Sequence, residues 1–430
     1  MPGISRAVQA ITGHKLHYAW IVVGLTFLVM LTAAGIRATP SVLIVPLEQS
    51  LHWSRASISL AIAINIALYG LMGPFAAALM QRIGVRLTII IALGLLCLGT
   101  AISTTMTRPW HMILLWGLMV GAGTGIVGMT LGATIATRWF DRRRGLVMGV
   151  LSASSATGQL VFLPALAWIA ETWGWRPVSW TMATVALLAI PLVALLLPER
   201  PAQLGLAPLG GTRQPELPSN QQNPVVVAVR MLGRAGRSRD FWLLFASFFV
   251  CGASTNGLIG THLIPACLDE GIPETGGAAL LAMMGIFDLV GTTASGWLSD
   301  RYDNRVLLFW YYGLRGLSLL FLPFAFGLSY PGLALFAVFF GLDWIATVPP
   351  TLRLTTDVFG SRDAPVVFGW ILAGHQLGAA AAALEAGMMR AALGRYLEAF
   401  MISGVLCVGA AIIVLRIGRD RIPGPVEALS

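Results

Sequence analysis

The side chains able to do chemistry are few, and most stand inside long apolar runs. Arg37, Asp288, Arg315 and Asp343 are charged residues set among Ala, Leu, Ile, Val, Gly and Phe. His262 and His375 have similar surroundings, and Asn65, Tyr69, Asn256 and Gln376 add neutral polar groups. A charge at the centre of a bilayer-spanning helix costs at least about 2.5–3.5 kcal/mol, so each needs a partner or a wet cavity. The guanidinium of Arg37 is a planar donor fork that matches a carboxylate. The alternative for Arg37 is snorkelling to the nearer headgroups, a strained reach from about ten residues inside its run. A carboxyl group at the depth of Asp288 can carry a proton or hold two helices together as a static ion pair. Imidazole is cheaper to bury and titrates near neutral pH, so His262 and His375 can bind substrate, relay protons or simply bond a neighbouring helix. Asn256 lies nearly two turns from His262, where it can hydrogen-bond an anion. Asn65 and Tyr69, four apart, share a helix face; they are cavity contacts or helix–helix glue. Arg315 needs a counter-ion, with Asp288 and Asp343 as candidates, and Glu385 should reach water.

Enzyme chemistry finds no purchase. The cysteines at 97, 251, 267 and 407 have no paired or metal-ligand spacing. No HExxH or GxSxG is present, and Gly123-x-Gly125-x-x-Gly128 lies inside an apolar run with no preceding strand, so it is not a dinucleotide loop. No catalytic residue, metal or cofactor is expected, and the chain is not read as an enzyme.

The elements that must position these groups follow from composition. Of 430 residues, 57% are hydrophobic and 11% charged, against about 25% charged in soluble domains. Such a surface belongs in lipid, where backbone groups must pair internally. Runs of about 20 apolar residues without dyad alternation favour helices over a barrel. Twelve spans are expected: 18–46, 57–80, 87–106, 110–137, 145–170, 177–197, 241–267, 277–299, 306–327, 331–353, 365–389 and 397–416. Residues 1–197 and 241–430 then form two six-helix bundles joined by a linker at 198–240, whose Val225–Arg239 end reads as a surface helix. Pro349-Pro350 should kink span 10. Gly117, Gly121 and Gly125, at i+4 spacing, permit close helix approach. No cleavable signal peptide is seen; the first span would itself target the chain.

The net charge of +9 suggests topology rather than nucleic acid. Twenty-one basic residues fall on the side of both termini and the central linker, and five on the other. The positive-inside rule puts both termini in the cytoplasm of a multi-pass protein in the cell (inner) membrane.

The two halves also repeat in the same orientation. Gln81-Arg82-Ile-Gly84-Val-Arg86 after span 2 matches Asp300-Arg301-Tyr-Asp303-Asn-Arg305 after span 8 in the spacing of its basic pair. Phe140, Arg143, Gly149 and Gly158 parallel Phe359, Arg362, Gly369 and Gly378, with one inserted residue. Parallel six-span units place a substrate site at their interface, near the midplane.

Gly296-Trp-Leu-Ser-Asp300-Arg301-Tyr-Asp-Asn-Arg305 resembles the cytoplasmic loop signature of the major facilitator superfamily. The resemblance implies an all-α fold of two six-helix bundles related by a pseudo-two-fold axis along the membrane normal. It also implies a conformational latch of Asp300, Arg301 and Arg305, with Arg82 and Arg86 in the first half, where Gln81 replaces the acid. Tyr18-Ala-Trp, Tyr69-Gly70, Arg138-Trp-Phe-Asp-Arg-Arg-Arg-Gly145, Gly158-Gln-Leu-Val-Phe162, Gly260-Thr-His262 and Ala373-Gly-His375-Gln376 resemble the monocarboxylate porter and oxalate/formate antiporter branch. In that branch the span-8 acid, here Asp288, is tied to proton coupling; Asp343 is a second candidate. The arginine usual one turn later is Thr292 here. A basic residue of span 1 sits near Arg37, and span 11, with His375 and Gln376, faces substrate. The implied function is alternating-access transport of a small organic anion, a carboxylate, by proton symport or exchange, in a monomer that needs no nucleic acid. The alternative is proton-driven export of amphipathic compounds.

Overall fold

The computed structural model describes residues 17–211 and 224–418. Among them are eleven helices long and apolar enough to cross a membrane, and one bent pair that completes a twelfth. Spans 1 to 6 are Tyr18–Leu51, Arg55–Leu71 with Phe75–Ile83 (bent by 59°), Val85–Ser103, Pro109–Trp139, Leu146–Trp173 and Trp175–Leu196. Spans 7 to 12 are Arg239–Asp269, Glu274–Ser299, Asn304–Gly327, Pro331–Gly360, Asp363–Leu393 and Leu397–Val414. The fold is all-α, two six-helix bundles. The face carrying the start of span 1 and the end of span 12 is here the proximal face, and the opposite one the distal face. On the proximal side the hydroxyl of Tyr18 donates to the Leu196 carbonyl. The Gly418 N–H donates to Asp240, so each bundle closes its first helix on its last.

Between the bundles, helix Pro224–Ala235 lies against span 11. The Trp370 indole donates to its Ala228 carbonyl at 2.9 Å, and Arg234 is 3.6 Å from Asp363. Part of the linker falls outside the described residues.

Small residues let the spans approach. A Cβ on Gly121 would stand 2.9 Å from the Asn65 Cα, and one on Gly117 3.2 Å from the Ala61 carbonyl oxygen. This is the close span 2–span 4 contact that the glycine spacing implied.

Four spans are interrupted along their length. Span 1 breaks at Thr39, because Pro40 has no N–H to return to the Ile36 carbonyl. Spans 4 and 7 widen to i→i+5 turns at Ile113–Val120 and Ala253–Ile259, irregularities that often mark functional positions. Span 10 breaks at Trp344–Thr347, which corrects the kink expected at Pro349-Pro350. The prolines occupy the first turn of the following helix, where a missing N–H costs nothing.

Candidate functional site

Arg37 occupies the last turn of the helix preceding the Thr39 break. Its guanidinium donates to Ser155 Oγ at 3.0 Å and lies 4.9 Å over the Tyr69 ring. It lines a cavity with Asn65, Gln159, Asn256 and Thr261. A second cavity, shared by Arg37, Tyr69, Thr124 and Ser155, adjoins it. The wall of the first cavity therefore draws on spans 1, 2 and 5 of one bundle and spans 7 and 8 of the other. Asn256 reaches it from the widened turn. The Asn65 side chain is partly committed, since its Nδ2 donates to the Trp116 carbonyl at 2.6 Å, so helix glue and cavity wall coincide there. Gln159 and Ser155 had not been singled out as site residues; the run Ser152-Ala-Ser-Ser-Ala-Thr-Gly-Gln159 in span 5 was the available signal.

Asp288 and Thr292 sit elsewhere. The Thr292 hydroxyl donates to Asp288 Oδ1 at 2.8 Å, and the same oxygen accepts the Ile345 N–H at 2.9 Å. Asp288 thus caps the broken end in span 10, and Thr292 serves Asp288. Ser295 donates to the Ala346 carbonyl from the same span 8 face. From the other side Arg315, 1% exposed, forms a 2.7 Å ion pair with Asp343. It also bonds the Asp343 and Trp344 carbonyls and donates to Cys251 Sγ at 2.8 Å. The partner of Arg315 is therefore Asp343. Two spans supply the hydrogen bonds that the span 10 break leaves open.

His262 is fully buried at the distal end, away from the cavity. Its Nε2 lies 2.7 Å from the Ala383 carbonyl and its Nδ1 3.0 Å from the Tyr396 hydroxyl. A carbonyl only accepts, so the neutral ring carries its proton on Nε2 and Nδ1 accepts from Tyr396. Burial pushes the Tyr396 hydroxyl up to about 12, so it keeps the proton it donates. Tyr396 in turn accepts from Arg55 at 3.2 Å. Arg55 joins Asp269 through bonds of 2.8 and 2.9 Å and Glu48 at 2.7 Å. Arg390 reaches the same Asp269 at 2.6 and 3.1 Å. This cluster ties span 1 and span 2 to spans 7, 11 and 12 and closes the distal end.

His375 and Gln376 are buried at mid-depth in span 11. The His375 ring packs 4.8 Å from Phe248, and a Cβ on Gly70 would meet Gln376 Cβ at 2.4 Å. Gln376 is at the seam of the bundles and His375 packs on span 7 of its own bundle; neither lines the cavity around Arg37. The His375 Nδ1 and Gln376 Oε1 have no hydrogen-bond partner among the described residues.

On the proximal face Arg301 folds back on Trp297, 4.2 Å over its ring. Arg305 is held by Asp303 and the Ile417 carbonyl at 3.2 Å. Asp300 forms the C-terminal cap of span 8. In the first bundle, where Gln81 stands for the acid, Glu199 accepts from the N–H groups of Val85 and Arg86 at 2.6 and 3.0 Å. It also lies 4.0 Å from Arg138. Gly84 has a φ of +92°, and a Cβ there would strike the Glu199 carboxylate at 2.7 Å.

Comparisons with known proteins give the family and the fold. A family model described as Major Facilitator Superfamily matches residues 25–383. The chain belongs to the major facilitator superfamily. It is 27% identical over 351 residues to the MFS-type transporter YcxA of Bacillus subtilis (strain 168), covering 79% of this chain and 80% of that one. It is 24% identical over 403 residues to Monocarboxylate transporter 13 of Bos taurus, covering 92% and 89%. This superfamily member therefore resembles the monocarboxylate branch. Its fold matches a bacterial homolog of the human lysosomal transporter Spinster, in an inward-facing and unoccupied conformation, with a TM-score of 0.72. That match has 17% identity and covers 93% of this chain and 97% of that one.

Proposed function

We propose that this transporter is a secondary carrier of a small organic anion, a carboxylate, that works by alternating exposure of the central cavity to the two faces of the cell membrane. The observation that carries this reading is Arg37. Arg55 and Arg315 are each paired with an aspartate. Arg37 bonds a serine hydroxyl and has no carboxylate partner among the described residues. A guanidinium with spare donors in a cavity is a receptor for a planar anion. Relatives named monocarboxylate transporters support the substrate class, and Arg37 takes over the cationic role that Thr292 cannot fill.

In this reading Asn65, Tyr69, Gln159 and Asn256 orient the anion. His375 and Gln376, whose unpartnered atoms are costly to bury, join them when the seam rearranges. Asp288 is the proton carrier: neutralising it weakens its hold on the Ile345 N–H and loosens the span 10 break. Asp343, paired with Arg315, is the second candidate for proton coupling. The distal cluster is the outer gate, both termini are cytoplasmic, and Asp300, Arg301, Arg305, Arg82 and Arg86 latch the proximal face when that gate opens. The protein acts as a monomer in the bilayer, and its co-substrate is a proton or a second anion.

Uptake of labelled carboxylates into proteoliposomes under an imposed pH gradient tests this. The wild type should respond to the gradient, and D288N should retain anion exchange while losing that response. Transport that rises with ligand hydrophobicity and needs no carboxylate would overturn it in favour of an exporter of amphipathic compounds.

A further inference from the structure

The distal face holds a further cleft, separate from the cavities around Arg37, with two carboxylates in a largely apolar wall. It is open to the surface and is lined by Gln49, Glu171, Trp175, Leu268, Pro273 and Glu274, among others. Glu171 lies near the end of span 5 and Glu274 opens span 8, so the two carboxylates come from opposite bundles. Glu171 accepts the Thr275 N–H at 2.7 Å and so caps span 8 across the seam, where the helix dipole favours a negative charge. Glu274 is only 5% exposed, and its Oε2 is buried without a hydrogen-bond partner among the described residues.

Among the described residues no cation is placed to neutralise Glu274. From span 1, Glu48 is bonded to Arg55. From span 7, Asp269 is occupied by Arg55 and Arg390, and Glu270 adds a further negative charge. Beside Trp175 on span 6, Arg176 donates to the Thr104 carbonyl and stacks on the Trp175 ring at 4.6 Å. An ionised carboxylate cannot be buried unpaired at this cost, least of all beside a second carboxylate that is fixed as a cap.

We propose that Glu274, with Glu171 facing it from the other bundle, is a proton-binding site of the closed distal face, holding a proton while the bundles meet there and releasing it to outside water when they part. Closure and proton uptake are then linked. External acid favours the closed distal face, by up to about tenfold in the closed-to-open ratio per pH unit for one proton. The site differs from Asp288 in depth and in the face it controls, and it needs no transported substrate to act.

The test uses the full chain in lipid nanodiscs without substrate. Spin labels are placed at the exposed distal positions Thr105 and Ala392, with Cys97 replaced by Ser and the three buried cysteines retained. Between pH 8 and pH 5 the wild type should gain the short-distance population. E274Q should remain short throughout, and E171Q, which removes the like charge, should shift at lower pH than wild type. Infrared difference spectra provide a second measurement: a protonated-carboxyl band present in the closed wild type should be absent from E274Q. An E274Q variant that shifts with pH as the wild type does, or that keeps the carboxyl band, overturns the proposal.

Discussion

Arg55 and Asp269, 214 positions apart, meet through two parallel N–H···O bonds of 2.8 and 2.9 Å and join the two bundles at the distal end. The fork-to-carboxylate match makes this contact directional as well as attractive. Around it, Arg390 shares the carboxylate and Tyr396 links Arg55 to His262. Closure of the distal face thus rests on one aspartate serving two arginines. Asp269→Asn leaves one oxygen for both and should raise the exposure of the seam. A cysteine at Ser59, a buried position whose hydroxyl faces Gly387, should then react with an impermeant maleimide at least about tenfold faster than in the parent, since hydrogen bonds to charged groups are worth about 1.5–3 kcal/mol each.

His262 belongs to the same cluster, which separates it from a substrate ligand. His262→Ala should loosen the distal face, measured by the same maleimide reaction. Substrate affinity from the inner cavity should change by less than about twofold. A large loss of affinity with unchanged labelling would return His262 to the substrate site.

The Arg315–Asp343 pair can be probed by stability. Arg315→Met leaves a buried aspartate without its counter-ion and should cost about 3–5 kcal/mol, seen as a lower Tm in detergent. Replacing both, as R315M with D343L, should recover much of the loss in the pair term. The carbonyls of Asp343 and Trp344 would still lack the donor that Arg315 supplies, so recovery should be incomplete.

Much of this architecture was legible in the residues. Charge poverty and run length give the twelve spans, and the paired Arg82/Arg86 and Arg301/Arg305 spacings give the repeat. Arg37 stands out because a fixed charge inside an apolar run needs a reason. The rest depended on partners that periodicity cannot bring together. His262 reads from sequence as a substrate ligand, a proton relay or a bond to a neighbouring helix, and the partners that it bonds, Ala383 and Tyr396, lie 121 and 134 positions away. The span 10 break falls before its prolines because Asp288 and Arg315, on two other spans, satisfy the backbone groups it frees. Glu199 could not be matched to Gln81 from sequence, since it stands at the far end of span 6 and acts on backbone N–H groups rather than on a side chain.

Tight seams offer a prediction independent of charge. A Cβ on Gly378 would lie 2.0 Å from the Phe249 carbonyl oxygen, a backbone atom that cannot swing aside. Gly378→Ala should therefore force spans 7 and 11 apart and lower the Tm by several degrees, while Gly369→Ala, with open space around it, should leave the Tm unchanged or slightly raised through lower unfolded-state entropy.

Binding of a carboxylate to purified wild type, R37K and R37A, measured by titration calorimetry at one pH and salt concentration, tests the role of Arg37 most directly. Removal of the guanidinium in R37A should weaken binding at least about tenfold, the equivalent of 1.4 kcal/mol, and R37K should recover only part of it because a point charge cannot reproduce the fork. Equal affinity in all three proteins would contradict an anion site built on Arg37.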